Sequence, residues 1–384
     1  MRFIHTSDWH LGRILHGVHL TEDQSHILEQ FVSLVKDTSP DAVLIAGDIY
    51  DRSVPPPDAV QLLDELLSRV VVDLDVPVLL IAGNHDSPER LAFGAKLLAR
   101  QNMHTFGTLE PVCQPVVLED KDGPVYFYSS PYAEPPLVRQ QYQDETLKDH
   151  DAAMRRIVSD VIKNHPQGKR SVLMTHAFVA GGEACDSERP LSVGGSGVVD
   201  AACFSDFNYV ALGHLHRPQK LGGGNVHYSG SLMKYSFSEA THQKAISIVE
   251  MDASGQCDIR KVSLSPRRDV RRIKGYLNDL ILLGATDANK NDFLDIELLD
   301  EGAIFDAIGQ LRDVYPNVLH IERPFLVIDG SDRKLAQDHR KITDLQLFTS
   351  FFEQVTGEAI SEEHAESYAA VIDDLRKRER EGVV

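Results

Sequence analysis

Five short polar motifs, each placed directly after an apolar run, constrain this chain more than any other feature. Phe3-Ile4-His5-Thr6 leads to Asp8-Trp9-His10. Val43-Leu44-Ile45-Ala46 leads to Gly47-Asp48-Ile49-Tyr50-Asp51, and Val78-Leu79-Leu80-Ile81-Ala82 to Gly83-Asn84-His85-Asp86. Val172-Leu173-Met174-Thr175 leads to His176, and Tyr209-Val210-Ala211-Leu212 to Gly213-His214-Leu215-His216. Runs that are apolar throughout are strands buried on both faces, and their alternation with helical patterns predicts a layered α/β domain. In such sheets ligands collect at the carboxyl ends of the strands. Five polar clusters placed there converge on one crevice.

The residue types in the crevice are Asp, His and Asn, without thiolate. That donor set suits Mn²⁺, Fe²⁺ or Zn²⁺ better than a Ca²⁺ site built of oxygen alone. Glycines at 47, 83 and 213 let backbone approach an ion or a phosphate closely. Each motif alone is weak, since a Gly-Asp pair is a common turn and a single histidine is more often a core or surface group. Their joint order makes chance a poor explanation.

Helices are expected over 22–37, 57–70, 88–100 and 145–163, the second and third with proline at their start. Further strands are expected over 115–119, 125–129, 226–229, 245–251 and 258–264. The glycine-rich stretch 180–197 reads as a mobile loop over the site. Composition shifts near 265, where a basic stretch, 266–272, reads as a linker or an entry strand, or else as a solvated turn. A strand over 292–299, a helix over 303–315 and a strand over 317–321 then make a small α+β unit. From 343 the chain reads as helical, with Phe348, Phe351, Phe352 and Val355 as an apolar stripe. That stripe either packs on its own domain or docks a partner.

Apolar residues make up 42% of the 384-residue chain, enough for a sizeable core. A net charge of −19 argues against a broadly basic nucleic-acid binder, though not against a local patch or binding through cations. Four scattered cysteines form no C-x-x-C pair, so neither a disulfide framework nor a thiolate zinc site is expected, and a reducing cytoplasm fits. No apolar run approaches the ~18 residues of a membrane span.

The order D-x-H, G-D-x-x-D, G-N-H-D, H and G-H-x-H resembles the calcineurin-like metallophosphoesterases. Within them, Asp8-Trp9-His10-Leu11-Gly12, Asn84-His85-Asp86-Ser87 with Arg90-Leu91, the run from Leu212 to Gln219 and the run from Gly230 to Phe237 are similar to bacterial nuclease subunits of a DNA-repair pair. The resemblance implies an α/β fold: a β-sandwich flanked by helices over 1–265, a small α+β capping and DNA-contact domain over 266–342, and C-terminal helices over 343–384. It implies two divalent ions, Mn²⁺ by expectation. Asp8, His10, Asp48 and His216 would hold the first, and Asp48, Asn84, His176 and His214 the second, with Asp48 shared. His85 would assist the leaving group or stabilise charge on phosphate. Some members carry histidine where this chain has Asp51. A carboxylate cannot donate a proton at neutral pH unless its pKa is strongly raised, so Asp51 is expected to orient a metal-bound histidine, or to be a plain turn residue.

The implied activity is 3′→5′ exonuclease action on duplex ends and endonuclease action on single strands and hairpins, in DNA repair, recombination and replication. The implied partner is a coiled-coil ATPase docked at 343–380. This chain has no Gly-x-x-x-x-Gly-Lys-Ser/Thr stretch of its own. A homodimer within a heterotetramer would form through helices 57–70 and 88–100, with Leu62, Leu63, Leu66 and Leu97 as candidates. Arg13, Arg52, Arg217, Lys234, Arg267, Arg268, Arg271, Arg272 and Lys274 are candidate phosphate contacts. Two alternatives remain at this point: a phosphatase or small phosphodiester hydrolase, and a non-catalytic DNA-tethering scaffold.

Overall fold

The apolar runs Arg2–Thr6, Ala42–Ile45 and Val78–Ile81 lie side by side as parallel strands, joined by Met103–Phe106 on one flank. On the other flank Ala245–Met251 runs antiparallel to Arg2–Thr6, and Cys257–Ser263 closes the six-stranded sheet. A second six-stranded sheet has the order Gln219–Leu221, Val226–Tyr228, Tyr209–Gly213, Arg170–His176, Gly123–Ser130, Val116–Asp120. Both are seen in a computed structural model that describes residues 1–110, 113–189, 197–301, 304–324, 348–349, 352, 359–361 and 364–372.

The two sheets pack face to face. Phe3, Leu44, Leu79, Ile81 and Val249 of the first meet Val125, Phe127, Val172, Met174 and Tyr209 of the second in one buried cluster. Phe3 meets the Phe127 and Tyr209 rings edge-on, at 5.7 and 5.4 Å between centroids. The outer face of the second sheet is covered by helix His150–Asn164, whose Met154, Val158 and Val161 sit on Leu173, Val210 and Leu212. Asp149 caps that helix by accepting from the Ala152 N–H at 2.8 Å, so it starts later than the apolar spacing suggests. The layered sandwich expected from the motifs is therefore present, and its strand ends carry them.

Helix Thr21–Thr38 matches the expected 22–37. The expected helix 57–70 ends at Leu67 and continues as a wider π-turn, Ser68–Asp73. The helix expected over 88–100 does not form as one piece. Gly94 takes a left-handed φ of 74° and divides it into the short turns Pro88–Leu91 and Ala95–Leu98. Leu63 and Leu66, considered for a dimer face, are buried in the core. Leu97 and its neighbour Phe93 are exposed, at 71% and 86%.

The chain divides into two compact units: Met1–Arg272 with Asn291–Asp295, and Ile273–Lys290 with Ile296–Val384. The strands Val270–Gly275 and Phe293–Leu298 begin in the first and end in the second. In the second unit, helices Leu277–Gly284 and Ala307–Arg312 bring Leu280, Leu311, Tyr315 and Val318 into a small core. Most of the expected C-terminal helical region, Phe351 and Val355 included, lies outside the described residues. Phe348 and Tyr368 stack with 3.9 Å between ring centroids. No helix among the described residues is long and apolar enough to cross a membrane.

One ion pair ties the second sheet together. Arg170 donates from both Nη atoms to Asp120, at 2.5 and 3.0 Å, and both side chains are nearly enclosed. The Arg170 guanidinium holds the Asp120 carboxyl well below the usual carboxylate range. A depressed carboxylate pKa adds stability above its unfolded value of about 4, and that stability is lost as pH falls further. Asp120→Asn is expected to cost about 3–5 kcal/mol at pH 7, because it leaves Arg170 buried and unpaired. The loss should shrink toward pH 3 in urea melts; an equal loss at both pH values would contradict this assignment.

Candidate metal centre

The strand ends bring all five motifs together. The loop after Arg2–Thr6 runs beside the loop after Ala42–Ile45. Asp8 N–H donates to Gly47 O at 3.0 Å, His10 N–H to Asp48 O at 3.0 Å, and Leu11 N–H to Ile49 O at 2.9 Å. Asp8, His10 and Asp48 all take left-handed backbone conformations, with φ of 54°, 45° and 50°, and His214 has φ of 110°. Non-glycine residues rarely accept such conformations, at about 1–3 kcal/mol each, and tend to do so where function requires it. Gln24, on the first helix, clamps this loop: Gly12 N–H donates to its Oε1 at 3.0 Å, and its Nε2 donates to His10 O at 2.8 Å.

The glycines have a more specific role than the sequence suggested. A Cβ on Gly83 would lie 2.1 Å from Asp48 Oδ1, and one on Gly47 would lie 2.5 Å from His176 Nδ1. They permit two loops and a histidine to pack against one another, where an ion or a phosphate was expected to approach the backbone. Asp86 completes the join by accepting from the N–H groups of Gly83, Ile49 and Tyr50 at 2.9, 3.1 and 2.9 Å. Burial, and then the Asp48 charge, pushes its carboxyl up to about 7.

Asp8, His10 and His216 present donor atoms within 4.8 Å of one another, and so do Asp8, Asp48 and His176. Asn84 Oδ1 lies 3.0 Å from His176 Nε2 and 3.3 Å from His214 Nδ1. His176 Nδ1 donates to Ala46 O at 2.9 Å, so its Nε2 carries a lone pair that faces another acceptor, Asn84 Oδ1. His10 Nε2 faces His216 Nε2 at 3.0 Å, while the buried His10 Nδ1 has no hydrogen-bond partner. The His176–Asn84 contact, acceptor against acceptor, is unfavourable unless a cation lies between the two atoms.

The electrostatics agree. Burial, followed by the Asp48 charge, raises the Asp8 carboxyl well above its usual range. Burial and neighbouring imidazoles hold His10 and His214 well below theirs, and burial lowers His176. Neutral imidazoles beside two crowded carboxylates are a ligand set for divalent cations. The seven residues expected as ligands are thus brought close together, all but the half-buried Asn84 being buried, and their donor chemistry fits the group.

His85 lies beside them. Its N–H donates to Asp48 Oδ1 at 2.9 Å, and its Nδ1 donates to Asp51 O at 2.8 Å. Asp51 Oδ1 accepts from Arg13 Nη1 at 2.7 Å and lies 3.6 Å from His10 Nδ1.

The basic residues are more engaged than the sequence suggested. Arg217 pairs with Glu183, Arg267 with Glu22, Arg268 with the buried Asp23, Arg271 with Asp292, Arg272 with Asp295, and Lys274 with Glu297. Lys234 donates to Asp269 at 2.9 Å and to Ala240 O at 2.8 Å. Arg52 is exposed and, among the described residues, makes no ion pair.

The sequence motifs did not point to Gln24, Ser187, Glu239 or Lys244. Glu239 is buried with Lys244 behind His216. Burial raises its carboxyl, but Lys244 and then His216 outweigh this and hold it well below the usual range. Neither residue carries a motif, so nothing short of the fold joins them to the site.

The family model for the calcineurin-like phosphoesterases matches residues 1–218. A second, described as the type 5 capsule protein repressor C-terminal domain, matches 266–356. The chain is 31% identical over 379 residues to the SbcD subunit of the nuclease SbcCD from Staphylococcus epidermidis, covering 99% of this chain and 100% of that one. It is 34% identical over 361 residues to the protein of the same name from Staphylococcus saprophyticus, covering 94% and 95%. With its motifs gathered at the strand ends in a buried cluster of carboxylates and imidazoles, and with these relatives, the chain belongs to the calcineurin-like phosphoesterases, among the SbcD subunits of SbcCD nucleases.

Proposed function

We propose that this chain is the metal-dependent DNA nuclease of an SbcC–SbcD-type complex, hydrolysing phosphodiester bonds during DNA end processing. The observation that carries this reading is the buried cluster in which the His176 Nε2 lone pair faces Asn84 Oδ1 and His10 meets His216, beside the crowded carboxylates of Asp8 and Asp48. Asp8, His10, Asp48 and His216 would hold one ion, and Asp48, Asn84, His176 and His214 the other, with Mn²⁺ as the expected metal. Bound there, two divalent ions supply Lewis acidity to the phosphate and lower the pKa of a bound water.

The chain's own residues do the rest. Asp48 would help hold both ions, and it accepts the His85 N–H, which orders the Gly83–Asp86 loop against its own. His85 has its Nδ1 tied to the Asp51 carbonyl, so proton exchange with a phosphate or leaving oxygen falls to Nε2. Asp51 accepts from Arg13 through the Oδ1 that lies 3.6 Å from His10 Nδ1, and its charge would steady that ring without a hydrogen bond to it. Among the basic candidates, Arg52 is exposed and could meet a DNA phosphate without first giving up a carboxylate. Residues 266–342 would act as a capping, DNA-contact domain. The exposed pair Phe93 and Leu97 would contribute to a homodimer face, and the region from 343 would dock a coiled-coil ATPase of the SbcC type.

The test is cleavage of an end-labelled linear duplex by the full chain with Mn²⁺, in parallel with a nucleotide monoester. Duplex cleavage that is lost on chelation supports the nuclease reading. Turnover of the monoester alone, with and without SbcC and ATP, would favour a phosphatase instead.

A further inference from the structure

Behind His216 lies a hydrogen-bonded chain with a defined direction. Ser187 Oγ donates to Glu239 Oε1 at 2.6 Å. Its single proton is then used, so its 2.7 Å contact with His216 Nδ1 is a bond donated by the ring N–H. Glu239 is fixed in turn. It accepts the Tyr235 N–H at 3.0 Å and pairs with Lys244, whose other two protons go to His216 O and Ser231 Oγ at 2.7 and 2.8 Å. All three ammonium donors are used, and Ser187, Glu239, Lys244 and His216 are all buried. Ser187 belongs to the stretch read from sequence as a loop over the site. Its neighbour Glu188 accepts the His216 N–H at 2.6 Å and the Cys185 thiol at 3.1 Å. The segment is thus fastened to both the side chain and the backbone of one histidine.

We propose that Ser187, backed by Glu239 and Lys244, is a positioning residue. It holds His216 in the tautomer whose Nε2 lone pair faces the cation site, and it thereby ties cation retention to the seating of residues 185–188. A histidine that ligates a metal commonly donates its other N–H to a carboxylate. Here a serine from a loop is interposed, so displacing the loop withdraws the acceptor and frees the ring to turn or change tautomer. The inference rests on the metal-site reading of His216.

The experiment is calorimetric titration of Mn²⁺ into the metal-free full chain, with the His216 tautomer read by NMR of ¹⁵N-histidine-labelled protein. Ser187→Ala is expected to weaken one of two Mn²⁺ sites by about 10–100-fold. Loss of two buried hydrogen bonds should lower the melting temperature of the metal-free chain by only a few degrees, leaving it folded, and Ser187→Thr should restore affinity to within a few-fold of wild type. Wild-type His216 should carry its proton on Nδ1, a result that does not depend on any variant folding. Wild-type affinity in Ser187→Ala, or a proton on Nε2 in the wild type, would overturn the inference. Failure of the metal-site reading itself looks different: the wild type would take up no Mn²⁺.

Discussion

Asp48→Asn is expected to lower Mn²⁺-dependent duplex cleavage by more than about 100-fold, beyond the about 10–100-fold that a residue outside the ligand set costs. The reason is geometric and electrostatic at once. Asp48 is almost fully buried, lies 3.6 Å from His10 Nε2 and 3.5 Å from His176 Nε2, and holds the His85 N–H. An amide keeps the shape but removes the charge that both ions need, and it can offer only one oxygen. The same substitution removes one of two crowded buried carboxylates, so the melting temperature of the metal-free chain should not fall. Loss of activity with an unchanged or raised metal-free melting temperature is the signature of a ligand. Loss of both would mark Asp48 as a structural residue.

His85→Ala is expected to reduce kcat by about 10²–10⁴-fold while leaving Mn²⁺ affinity and the KM for DNA near wild type. His85 contributes its backbone N–H to Asp48, and that bond survives the substitution; only the ring is lost. The ring's edge-on contact with His10, at 4.7 Å between centroids, places it beside the cation site and outside the proposed ligand set. Single-turnover kinetics on the end-labelled duplex separates the two outcomes. A kcat within a few-fold of wild type would remove His85 from the chemistry. A parallel loss of metal binding would make it a ligand.

Much of the site was legible because chemistry and secondary structure coincide in the chain. A buried parallel strand reads as a continuous apolar run, and the residue after it occupies the crevice by topology alone. That is why the five motifs could be placed in one crevice, while the choice of Asp8, His10, Asp48, Asn84, His176, His214 and His216 as ligands came from the resemblance to the calcineurin-like metallophosphoesterases. What supports them could not be read the same way. The left-handed backbone at Asp8, His10 and Asp48 has no glycine to announce it and depends on bonds between two loops. Gln24, Glu239 and Lys244 reach the site from a helix and from a segment more than 200 positions from Asp8, without any motif. The broken helix after Pro88 shows the same limit. Apolar spacing continued through Gly94, but that residue's left-handed φ ended the turn. The basic strip from Arg267 to Arg272 read as available charge, yet its carboxylate partners lie elsewhere in sequence and neutralise it in the fold.

Everything proposed for catalysis depends on two divalent ions sitting side by side among these seven residues, shared through Asp48. Anomalous scattering at the manganese edge, from crystals of the full chain grown with Mn²⁺, would locate them. Two peaks about 3.5–4 Å apart are expected. One should lie against Asp8, His10 and His216, the other against Asn84, His176 and His214, with Asp48 between them. A single peak, or two peaks that do not share Asp48, would rule out the bridged pair.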